Sequence, residues 1–289
     1  MKKILLLTDF SEAAHNALHF TRSFFSDTVA DFHLLCAHPV EADPFYSQKH
    51  VTQTAHTAFS EQLFNLVTDL RQQATTNWHT YRATALPGPL LSVVQGVLTT
   101  DNYDYVVVGA KKDGTSVLFG NTATTLIRQL EANVLVIPVD ARPKPVRSVV
   151  LATDFARLKN CKLLCPLKEL VTLKGATLTL LTIDTPGKQP VHTEQEVRIR
   201  QFLLPIEPAV ARLQAPDPRQ GIDAYLAGHP VDLLVTIPHH KGWIDALNGT
   251  SVTRSLAYTP PVPMLTIYDN GHSDQPRLIN DLSNLDYAL

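Results

Sequence analysis

The 289-residue chain carries 25 Lys and Arg against 27 Asp and Glu, a net charge of −2 with His neutral. Hydrophobic residues make up 44% and charged ones 18%, which excludes a disordered chain and leaves no basic excess for nucleic acid or an anionic membrane surface. Three Cys form no disulfide framework and suit a reducing cytoplasm, and no apolar run approaches the ~20 residues of a membrane helix. The run Ile4 to Leu7 stops at Thr8-Asp9, too short for a secretory leader, and reads as a strand over 2–8 buried on both faces. Ser11 caps a helix to about Phe25, with Ala14, Leu18, Thr21 and Phe25 at helical spacing. A strand over 31–38, a long amphipathic helix over 50–75 and a strand from His79 to Leu86 come next. Pro89 opens a helix over 88–99, and strand 104–109, helix 121–131 and strand 133–138 complete the series.

The pattern then repeats. Ile4-Leu5-Leu6-Leu7-Thr8-Asp9-Phe10 recurs as Val149-Val150-Leu151-Ala152-Thr153-Asp154-Phe155. The strand after Asp104 recurs after Asp232, Gly120-Asn121-Thr122-Ala123-Thr124 recurs as Gly249-Thr250-Ser251-Val252-Thr253, and Val134–Pro138 recurs as Pro263–Ile267. The same spacing separates Gly109 from Gly120 and Pro238 from Gly249, which makes Pro238 the expected counterpart of Gly109. Landmarks in one order make the chain a tandem duplication: units over 1–140 and 147–268, a Pro-rich connector between them, and a tail over 269–289. Pro166 inside the helix expected over 157–173 should kink it or mark a late start. Alternating strands and helices mean right-handed crossovers and a parallel sheet covered on both faces. Each copy reads as a five-stranded doubly wound α/β unit.

In such sheets a ligand sits beyond the carboxyl ends of the strands, where the strand order reverses. Asp9 ends the first strand and Gly109 the fourth. Gly120 lets the backbone approach a ligand, and the amides of Asn121 and Thr122 open a helix whose unpaired donors suit a phosphate. Lys111 and Lys112 add positive charge. The same residues also serve as an ordinary helix cap and loop end, and both readings stay open.

Other constellations are poorer. His239-His240 has no Cys or carboxylate cluster at ligand spacing, and His15 and His19, with Glu12 a turn earlier, lie off the apolar stripe of their helix. No metal site is expected. Cys36, Cys161 and Cys165 read as small buried hydrophobes. Neither a P-loop nor a G-x-G-x-x-G is present; no G-x-S-x-G marks a hydrolase nucleophile and no residue stands out as a general base for water, so no catalysis is expected.

The tandem layout, the Thr-Asp at the end of strand one, the Gly-loop-Gly segment and the closing Val-Leu-Val-Ile-Pro strand resemble the universal stress protein family over about 1–140 and 147–268. The resemblance implies two flavodoxin-like (adenine nucleotide alpha hydrolase-like) domains, each a five-stranded parallel sheet of order 3-2-1-4-5. It implies an adenine nucleotide such as ATP as ligand, with Mg²⁺ beside it, in a cytoplasmic stress-response protein. Carried over by position, Thr8 and Asp9 face the base, Ala37 lines its pocket, Val108 and Gly109 meet the ribose side, and Lys112, Gly120, Asn121 and Thr122 stand at the phosphates. The second-copy candidates are Thr153, Asp154, Ile237, Gly249, Thr250 and Ser251. Two departures stand out: Lys112 replaces the second glycine of the family pattern, and the glycine loop is shorter than the family spacing. The family pairs domains through strand five, so the two copies are expected to pair within the chain, with a homodimer of chains also open. The alternative is a scaffold whose ligand sites have decayed.

Overall fold

The computed structural model describes residues 1–39, 48–73, 78–110, 122–155, 158, 160–186, 193–237 and 260–269. The first half runs β1 (Lys2–Leu7), α1 (Glu12–Phe24), β2 (Ala30–His38), α2 (Gln48–Gln72), β3 (His79–Pro87), α3 (Leu90–Thr100), β4 (Tyr105–Ala110), α4 (Thr122–Gln129) and β5 (Val134–Pro138). The second runs β6 (Ser148–Ala152), a 3₁₀ turn (Cys161–Leu164), α5 (Cys165–Lys174), β7 (Thr177–Asp184), α6 (Thr193–Leu203), β8 (Ala209–Gln214), α7 (Pro218–Gly228), β9 (Leu233–Thr236) and β10 (Met264–Thr266).

Among the described residues these strands form one sheet of order β3-β2-β1-β4-β5-β10-β9-β6-β7-β8. Within each half the order is 3-2-1-4-5 and every neighbour is parallel. The halves join where β5 and β10 pair antiparallel, with Leu135 opposite Leu265. From Ile4 to Leu7, β1 is apolar and buried because both faces of the sheet are covered. Ile4 and Leu6 face the core with α1, α2, α5 and α6; Leu5 and Leu7 face the core with α3, α4 and α7. Each such side chain, taken fully from water, is worth about 2 kcal/mol.

Two aspartates mark the repeat structurally. Asp104 accepts the Lys3 N–H at 2.8 Å just ahead of β4; Asp232 accepts the Arg147 and Ser148 N–H groups at 2.8 and 2.9 Å just ahead of β9. Each carboxylate pins the start of its half's first strand. Pro166 has the effect of a late start: α5 begins at Cys165 with the proline in its first turn, and left-handed Gly175 (φ 58°) ends it. Cys161 is buried as expected, but Cys165 is exposed, because it opens the helix instead of lying on its core stripe.

Two lysines besides the β5–β10 seam fasten the halves. The Lys174 ammonium at the end of α5 reaches α1's end, where it bonds the Phe24 carbonyl and the Asp27 carboxylate (2.7 Å) and lies 4.9 Å from the Phe24 ring. Lys2 of β1 pairs with Glu169 of α5 at 2.7 Å. The Asn16 side chain of α1 donates to the carbonyls of Pro138 and Ala141 at 2.9 and 3.1 Å, and so holds the start of the connector.

Candidate functional site

β1 lies between β2 and β4, the point at which the order of the first half reverses, so the crevice opens beyond the carboxyl ends of these strands. The chain leaves β1 through a tight turn. Phe10 has φ 60°, a conformation uncommon for a bulky residue. Its N–H donates to Thr8 Oγ1 and the Ser11 N–H to Asp9 Oδ1, both at 3.1 Å. Ser11 Oγ then accepts the Ala14 N–H at 3.3 Å and caps α1. Thr8 and Asp9 thus build the turn at the crevice floor. The turn lays the Phe10 ring on Phe59 of α2 (centroids 6.2 Å apart, planes 15°), and His38 at the end of β2 stacks on the same ring (5.2 Å, 13°).

Gly109 is buried, and its missing side chain makes room for α1: a Cβ there would lie 2.3 Å from the Ala13 carbonyl oxygen. Val108 is 1% exposed and packs in the core with α3 and α4. Ala37 is half-buried against the same core. Thr122 is half-buried as the first residue of α4. Burial, then the Asp9 carboxylate, pushes the Cys36 thiol up to about 11, so it stays protonated at neutral pH. Lys112, Gly120, Asn121, Gly249, Thr250, Ser251, Pro238, His239, His240 and the tail from 270 lie outside the described residues.

The second half repeats this frame with different contents. The Thr153 N–H donates to the Leu181 carbonyl as the Thr8 N–H does to Leu35, so Thr182, Ile183 and Asp184 stand where the first half has Cys36, Ala37 and His38. Asp154 matches Asp9 and is half-buried. The ladders β1–β4 and β6–β9 place Ile237, not Pro238, at the position of Gly109. Ile237 is 5% exposed. In this half α5 starts at Cys165, whereas α1 starts at Glu12 directly against Gly109. Ile183 packs against a glycine: Gly221 of α7 lies so close that a Cβ there would meet Ile183 Cγ2 at 2.6 Å. The buried trio Gly221, Ile222 and Tyr225 matches Val93, Val94 and Val97 of α3, so the halves exchange an Ala–Val pair for an Ile–Gly pair.

Four buried polar side-chain atoms have no hydrogen-bond partner among the described residues: His38 Nε2, Thr124 Oγ1, Thr153 Oγ1 and Thr182 Oγ1. His38, Thr153 and Thr182 lie at or near the carboxyl ends of strands, and Thr124 in the first turn of α4. They fall two to each half. Buried polar atoms are normally paired, and each exception calls for a cause such as a bound molecule. Phe10, His38 and Thr182 escaped the sequence reading; the polar residue near the end of an apolar strand was the available signal for the last two. Among the described residues no group of three or more His, Cys, Asp or Glu is placed to hold a metal, and no helix is long and apolar enough to cross a membrane.

The universal stress protein family model matches residues 1–138. The fold is similar to that of a universal stress protein from Archaeoglobus fulgidus DSM 4304 (17% identity, 91% of this chain and 97% of that one, TM-score 0.69). It is also similar to that of a functionally unknown protein from Pseudomonas aeruginosa PAO1 (13%, 92% and 92%, TM-score 0.59). A shorter match, to a universal stress protein family protein from Arabidopsis thaliana with AMP bound, covers 49% of this chain and 94% of that one (16%, TM-score 0.34). At these identities the likeness is one of fold. No curated protein matches the chain.

Proposed function

We propose that this chain, a universal stress protein by its first 138 residues with the same strand order in its second half, binds an adenine nucleotide in the first crevice. It acts as a sensor or regulator and not as a catalyst, in the cytoplasm, with 1–140 and 147–268 as its two units and 269–289 as a tail. The observation that supports this reading is that two buried polar atoms, His38 Nε2 at the end of β2 and Thr124 Oγ1 in the first turn of α4, have no hydrogen-bond partner among the described residues. The base falls to the Asp9, Ala37 and His38 side of the crevice. The phosphates, with Mg²⁺ where ATP is the ligand, fall to the start of α4, whose amides and dipole favour an anion.

The second half supports a different reading of its own crevice. Ile183 puts bulk where the first half has Ala37, the residue assigned to the base, which favours a scaffold role there. One experiment tests both. Freshly purified protein is denatured, the supernatant is analysed by mass spectrometry, and intact protein is titrated with ATP and Mg²⁺ in a thermal-shift assay. About one nucleotide per chain, or a Tm that climbs with ligand as RT ln(1 + [L]/Kd), is the expected result. No nucleotide and no shift would overturn the binding proposal and leave the scaffold.

A further inference from the structure

We infer that His38 is a specificity-determining residue of the first crevice, which selects a heterocycle that presents an amino group over one that presents a carbonyl. The inference rests on the nucleotide reading above. His38 closes β2 beside the Asp9 turn, and its ring is held by stacking on Phe59. Its Nδ1 lies 3.3 Å from the Pro39 carbonyl oxygen, which can only accept. The proton therefore sits on Nδ1, and Nε2 presents a lone pair. That lone pair is buried and unmatched among the described residues, so the fold carries a desolvated acceptor without its donor. The exposed His56 ring packs over His38 with centroids 5.7 Å apart.

A buried, unmatched acceptor at the end of a crevice favours a ligand edge that brings an N–H donor. An amino-purine satisfies Nε2; the corresponding oxo-purine turns a carbonyl oxygen toward it, which leaves two acceptors face to face. Sites built around a buried hydrogen-bonding group reject ligands that lack the matching group far more strongly than apolar pockets reject a methylene.

The test compares AMP and IMP by isothermal titration on the full chain, for wild type, His38→Phe and His38→Gln, with the ligand-free Tm of each. Wild type is expected to bind AMP at least tenfold more tightly than IMP. His38→Phe keeps the stack and removes the acceptor, so AMP affinity should fall about tenfold and the AMP/IMP ratio approach one. His38→Gln restores an oxygen near the Nε2 position and should recover part of the ratio. Because Nε2 has no partner in the fold, the ligand-free Tm of His38→Phe should equal or exceed that of wild type. An unchanged ratio in His38→Phe with AMP still bound overturns this inference and leaves the nucleotide reading intact. A Tm several degrees lower overturns it as well, since the nitrogen would then serve the fold. Wild type that binds neither nucleotide overturns both readings together.

Discussion

The two halves share a frame and differ in how they close it. In the first, a helix starts directly after β1, its opening turn presses on β4, and only glycine fits at position 109. In the second, the helix starts late at Cys165, and Ile237 takes the glycine's place. A similar exchange runs across the sheet, where Ala37 of the first half gives way to Ile183, packed against Gly221. Neither pair of changes makes sense singly. The lesson is that duplication keeps the strand order, which depends on apolar patterning, and lets volume migrate between packed neighbours.

The comparison can be broken most directly at Gly109. Gly109→Val must push α1 off β4 and should cost about 3 kcal/mol, read by urea denaturation. A variant as stable as wild type would mean that α1 does not approach β4 as closely as described.

Acid should also tell the halves apart. His33 of β2 is buried against Tyr103 and Thr84, and its counterpart in β7 is Thr179. Burial, with the Arg82 guanidinium second, pushes the His33 pKa down to about 4. The unfolded chain takes up a proton near pH 6.5 and the folded chain does not, so the unfolded state binds more protons between these values. Stability should therefore be full above about pH 6.5 and fall by about 2 kcal/mol as the pH drops toward 4. His33→Gln should flatten that slope in denaturation curves taken from pH 4 to 7; an unchanged slope would assign the acid sensitivity elsewhere.

The smallest effect sharpens the comparison at the ligand. Ala37→Ile gives the first crevice the second half's residue while α3 keeps Val93. Nucleotide affinity should fall about tenfold, roughly 1.4 kcal/mol, and the ligand-free Tm should fall by a few degrees, because the larger side chain meets a helix that has kept its valine. Equal affinity would place the base away from the end of β2.

Much of this architecture was legible beforehand. The apolar run ending in Thr8-Asp9 and its echo at Thr153-Asp154 locate both first strands, and the Asp104 and Asp232 echoes locate both fourth strands. Those same aspartates set the register that makes Ile237 the partner of Gly109, where loop spacing alone points to Pro238. What stayed hidden depends on contacts between elements distant in sequence. The Ala13 carbonyl against Gly109, and Ile183 against Gly221, are set by how a helix seats on a sheet, and no local pattern encodes that distance. His38 looked like the polar end of a strand because its significance lies in the missing partner of one nitrogen.

The antiparallel meeting of β5 and β10 has a consequence for how the protein responds to its own abundance. In a dimer of separate subunits such a seam forms and dissolves with concentration, and the stability of each partner follows supply. Here a short connector holds the two partners at the high effective concentration of a tethered pair. The seam should therefore persist at any copy number, and the melting temperature of the paired sheet should not shift on dilution.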